Sequence, residues 1–97
     1  MGLDVHLLTE RGDVLAQLLD PQGLVAKLIQ HAPADSICLR FVDPYQDTTL
    51  NSRQAEQLVQ ELRDLDALPD DLHTARDSLV DLAERVETHV YLKFIGD

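Results

Sequence analysis

Ninety-seven residues are enough for one hydrophobic core and too few for two, so a single domain over residues 1–97 is expected. Apolar residues make up 44% of the chain and charged ones 27%, which excludes a disordered acidic tail. Eighteen acidic residues against eight basic ones give a formal net charge of -10, a field that repels phosphate backbones and argues against a nucleic-acid partner.

The chain opens with an alternating stretch in which Leu3, Val5 and Leu7 point one way and Asp4, His6 and Leu8 the other, the period of a strand. Gly12 follows in Glu10-Arg11-Gly12-Asp13, where a hairpin turn needs a positive φ, so Val14 to Leu19 reads as the returning strand, with a helix as the rival because Leu15, Leu18 and Leu19 also suit helical spacing. Asp20-Pro21 then carries the signature of a helix start, and Leu24, Val25, Leu28 and Ile29 form one apolar stripe that ends before Pro33. Ser36 to Val42 reads as the clearest strand, with Ile37, Leu39 and Phe41 facing the core and Cys38, Arg40 and Val42 facing away.

Asp43-Pro44-Tyr45-Gln46 is a turn, and Asp47 to Leu50 is short enough to pair only briefly with the strand before it. Asn51 or Ser52 caps the next helix, whose Ala55, Leu58, Val59, Leu62 and Leu65 keep three-four spacing. Past Pro69, a further helix begins at Asp70 or Asp71 and places Leu72, Ala75, Leu79, Leu82, Ala83 and Val86 on one face. Val90 to Ile95 alternates again as a closing strand. The order β-β-α-β-α-α-β predicts an α+β fold, a two-layer sandwich with a mixed four-stranded sheet and the helices on one face. The strand after the helical hairpin is expected to run antiparallel to the one before it.

A lone cysteine, Cys38, makes no internal disulfide, and neither a leader nor a bilayer-length apolar run is visible, so we expect a cytoplasmic protein with no membrane partner. Met1-Gly2 resembles an acylation signal, but His6 stands where that signal needs Ser or Thr. The histidines His6, His31, His73 and His89 are scattered singly, and no Walker loop, dinucleotide fingerprint, nucleophile elbow or paired CxxC occurs. The expectation is therefore no catalytic residues, no cofactor and no resident metal. Asp43, Asp47 and Asn51 recur every four residues without the alternation of a calcium loop, and Asp43 and Asn51 are read as turn and cap residues.

Charge is the strongest remaining signal. Ten carboxylates lie between Glu56 and Glu87, against Arg63, Arg76 and Arg85 alone. Such a run is either a solvated helix face, with Asp81 and Arg85 paired at i,i+4, or a docking surface for a basic partner. The candidate partner-binding residues are Asp70, Asp71, Asp77, Asp81 and Glu84 on that face. Tyr45 is added as an exposed anchor, and Arg40, Tyr91 and Lys93 as part of an open sheet face. The reading is a non-catalytic acidic protein-binding module of immunity or inhibitor type. Alternatives are a self-associating homodimer using the open sheet face and a small metal-binding enzyme built on Asp43, Asp47 and a histidine.

The segment Cys38-Leu39-Arg40-Phe41-Val42-Asp43-Pro44-Tyr45, continuing to Asp47-Thr48 and Asn51, resembles a group of small single-domain bacterial proteins. So do the opening Gly2-Leu3-Asp4-Val5 and the ending Tyr91-Leu92-Lys93-Phe94-Ile95-Gly96-Asp97, while Gln46 stands where the group has glycine. The resemblance implies a free-standing bacterial domain and carries no activity with it.

Overall fold

Among the described residues, four strands and three α-helices follow one another as β1 (Asp4–Thr9), β2 (Val14–Leu18), α1 (Leu24–Gln30), β3 (Thr48–Leu50), α2 (Ser52–Arg63), α3 (Asp70–Ala83) and β4 (Val90–Ile95). The computed structural model describes residues 2–96; Met1 and Asp97, which the acylation-like opening and the closing segment include, lie outside them. The α+β class, the order of elements and the helical layer on one face of a four-stranded sheet all match the sequence reading.

The sheet order is β2-β1-β4-β3. Because β4 enters between β1 and β3 and runs antiparallel to both, and β2 returns antiparallel along β1, the sheet is antiparallel throughout rather than mixed. The hairpin between β1 and β2 turns on Gly12 at φ 91, the positive value its position demands. The register of that hairpin slips by one residue, so Val14 and Leu15 together oppose Leu8, a bulge on the edge strand.

Alternation decides which face is buried. Leu3, Val5 and Leu7 on the β1 side and Leu92 and Phe94 on β4 are buried against Leu28, Leu58, Leu62, Leu72 and Leu79 of the helices. Removing each such leucine from water contributes about 1.5–3 kcal/mol. The capping box of α2 is complete: the Gln54 N–H donates to Asn51 Oδ1 at 2.9 Å, and the Asn51 N–H to Gln54 Oε1 at 2.9 Å. Helix α3 starts after Pro69 with Asp70 and Asp71 in its first turn, where the helix dipole favours negative charge.

Helix α1 begins later than Asp20-Pro21 implies. Its first residue is Leu24 and its cap is Gly23 at φ 72, yet Asp20 still does the capping. Its carboxylate, only 4% exposed, accepts from the N–H groups of Val25 at 3.0 Å, Ala26 at 3.1 Å and, across the layer, Leu3 at 2.9 Å. Meanwhile the Asp20 N–H donates to Asp4 Oδ1 at 2.7 Å. One buried carboxylate thus joins the start of the sheet to the start of α1.

The largest departure from the sequence reading is Ser36 to Val42. It is no strand; Leu39–Phe41 form a single 3-10 turn, and the third strand is Thr48–Leu50, which pairs with β4 instead of with the segment before it. In-and-out alternation fails at four of its six positions: Cys38 and Val42 are buried and Ile37 and Phe41 are 61% and 66% exposed, while Leu39 is buried and Arg40 exposed as expected. A tighter helical turn replaces the two-residue period because a side chain from another element captures its backbone.

Candidate functional site

That side chain is Glu61, on α2. Three consecutive backbone N–H groups converge on its carboxylate: Ile37 donates to Oε2 at 2.8 Å, Cys38 to both oxygens at 3.1 and 3.2 Å, and Leu39 to Oε1 at 2.8 Å. Gln57, one helical turn earlier, donates a fifth hydrogen bond to Oε2 at 2.9 Å. Converging N–H groups of this kind form an anion-binding concavity, and here an internal carboxylate fills it. Partial burial would push the Glu61 carboxyl up, but the bonds from Gln57, Leu39, Ile37 and Cys38 outweigh it and hold it below the ordinary carboxylate value.

Ser36 completes the clamp. Its hydroxyl donates to the Pro33 carbonyl at 2.8 Å and accepts from the Arg40 N–H at 3.1 Å. Arg40 therefore does not lie on the sheet face as expected, because the turn carries it away. Its guanidinium donates to the Ala34 carbonyl at 3.2 Å and sits 4.6 Å from the centre of the Phe41 ring, a cation–π contact. Cys38 is buried beneath; burial, then the nearby Glu61 charge, pushes its thiol up, which keeps it protonated at neutral pH. Between this segment and α2 lies a cavity of about 320 Å³ walled by Pro33, Asp35, Ile37, Gln57, Glu61 and Asp64.

The ten carboxylates of the helical hairpin divide into three groups. Glu61 is consumed by the clamp. Glu84 pairs with Arg63 at 2.8 Å across the two helices, Asp81 with Arg85 at 3.1 Å as the i,i+4 spacing predicts, and Asp77 with Arg76 at 3.2 Å. The remaining six, Glu56, Asp64, Asp66, Asp70, Asp71 and Glu87, are exposed and make no ion pair among the described residues. Four of them fall within eight residues of sequence, from Asp64 to Asp71, on either side of Ala67 in the left-handed conformation at φ 55.

No family model, curated protein or solved structure matches the chain. What the residues can do therefore rests on their placement. Tyr91 and Lys93 stand half-buried on the open sheet face beside Leu8 and His6 of β1, and Lys93 is paired with Asp47 at 3.4 Å. Asp47 also accepts from the Gly96 N–H at 3.1 Å. Asp43 accepts from the Tyr45 N–H at 2.8 Å and Asn51 caps α2, the turn and cap roles their spacing suggested. Tyr45, 73% exposed, tops the same turn. The nine candidate binding residues thus occupy three separate surfaces, the outer side of α3, the Arg40–Tyr45 segment and the open sheet face. The sequence reading missed Glu61 as an organising residue, and it placed Ile37 and Phe41 in the core. Ser36 gave no readable signal for the turn, since a capping hydroxyl accepts two or three residues on and here the accepted N–H is four residues on, at Arg40.

Proposed function

We propose that this protein is a non-catalytic binding module that meets a basic protein partner through the carboxylate-rich Asp64–Asp71 stretch between α2 and α3. The observation that carries the reading is the set of six exposed carboxylates with no ion pair among the described residues, four of them between Asp64 and Asp71. Exposed like charges close together in the chain strengthen the negative field and speed encounter with a cationic surface. An inhibitor or immunity role for a basic enzyme is the finer form of this proposal, since occlusion of a cationic groove needs only shape and charge.

The test uses a partner recovered by pull-down and then purified. Asp70→Lys with Asp71→Lys should slow association several-fold at low salt, and the difference from the parent protein should shrink as salt rises and screens the field. Association that is equally fast in the double variant removes the proposal. A toxin or nuclease reading frame beside the gene would support the inhibitor form.

Self-association is a second reading, and one observation favours it: Val14 and Leu15 on edge strand β2 are 51% and 55% exposed. Light scattering of a concentrated sample separates the two. A monomeric mass, unchanged by Tyr91→Glu on the same face, rules the dimer out.

A further inference from the structure

Two features of the Pro33–Phe41 segment are left without a role by charge alone: large apolar side chains held in water, and a backbone fixed to hold them there. Ile37 and Phe41 are among the most exposed large apolar residues of the molecule, at 61% and 66%, although their neighbours Cys38, Leu39 and Val42 are buried. The turn that presents them is pinned by Glu61 at three successive N–H groups and by Ser36 at both its ends. A surface whose backbone is already ordered loses little entropy on binding, and apolar or aromatic anchors with an arginine beside them have the composition of interface centres. Ile37 also forms one wall of the cavity against α2, whose polar side is Asp35, Glu61 and Asp64 with no lysine, arginine or histidine among its walls.

We propose that the Ile37–Phe41 turn is the apolar centre of the docking surface, and that the partner presents an apolar patch edged with arginine or lysine. In this arrangement Ile37 and Phe41 enter the partner's apolar patch, and a cationic side chain lays its aliphatic stem along Ile37 with its head at Asp35 and Asp64. Charge complementarity selects this occupant over a second copy of the chain, because another molecule would bring its own net charge of -10 to an already acidic rim. This inference rests on the basic-partner reading above and adds where that partner docks.

Fluorescence anisotropy with three short labelled peptides tests it: alternating arginine and leucine, alternating arginine and serine, and alternating glutamate and leucine. At low salt the arginine–leucine peptide should bind best. Ile37→Ser with Phe41→Ser should weaken it about tenfold, and Asp35→Asn with Asp64→Asn should do the same, whereas Glu10→Gln with Asp13→Asn at the exposed β1–β2 turn should leave it within about twofold. Because Ile37 and Phe41 are exposed, the serine variant keeps its circular dichroism and melting temperature, which separates lost binding from lost fold. If the arginine peptides bind but the serine variant binds them equally well, the turn is not the centre and only the basic-partner reading survives. Equal binding of the glutamate–leucine peptide overturns the charge requirement, and no binding of any arginine peptide overturns both readings.

Discussion

Asp20 holds the backbone N–H groups of Leu3, Val25 and Ala26 inside the core, whereas Glu61 holds those of Ile37, Cys38 and Leu39 at an edge that water reaches. Both carboxylates stand in for the missing first turn of a helical segment, and both join pieces of chain far apart in sequence. Their surroundings differ, and so does what each one accomplishes. In the core, a lost acceptor strands donors that no water can reach, so Asp20 governs whether the layers stay together. At the edge water substitutes in part, so Glu61 governs the shape of one turn. An acid count therefore overstates what the chain offers to a partner, since Asp20 and Glu61 each hold several of its own N–H groups and Asp4, Asp43 and Asp47 one apiece.

The sharpest way to break this comparison is Asp20→Ala. With the N–H groups of Leu3 and Val25 left buried and unpaired, the variant should lose about 3–5 kcal/mol in urea unfolding. If the loss is no larger than that of a surface substitution, the two carboxylates do not differ as described. Glu61→Ala comes next, at about 1–2 kcal/mol, with the change in amide exchange concentrated at residues 36–42.

Acid adds a finer discriminator. Because the Glu61 carboxyl in the folded protein lies below its ordinary value of 4.5, the unfolded chain takes up the proton first as pH falls. The stability it contributes is therefore complete above that ordinary value and drains away as pH drops through the lower folded one. Glu61→Gln should flatten this part of the stability profile; an unchanged slope would mean that the carboxylate is not held by the turn. The smallest effect belongs to Asp81→Ala, since the Asp81–Arg85 pair is exposed and salt-screened, and its unfolding midpoint should stay within experimental error of the parent.

Much of this architecture is written locally. The periodicities of Leu3–Leu8 and Val90–Ile95, the Asn51–Gln54 box and the stripe of α3 need only their neighbours to be read, and strands and helices stand where those patterns place them. Thr48–Leu50 was legible as extended chain, but its partner was not, because pairing with β4 is settled more than forty residues later. Ser36 to Val42 misleads for a related reason. Ile37, Leu39 and Phe41 alternate as a strand would, and the residue that overrides the pattern, Glu61, lies 22 to 24 positions away. From sequence Glu61 is one more acid on a helix. The candidate surface was half legible: its charge could be counted, while its apolar centre was hidden by an alternation that assigned it to the interior.

The bulge where Val14 and Leu15 share one partner on β1 has a consequence for how the molecule behaves in a crowded solution. A foreign strand laid along the free side of β2 would meet donors and acceptors out of step with its own two-residue repeat, so a continuous ladder cannot propagate outward from this flank. The bulge thus works against strand-on-strand addition at β2 while leaving the Val14 and Leu15 side chains in water.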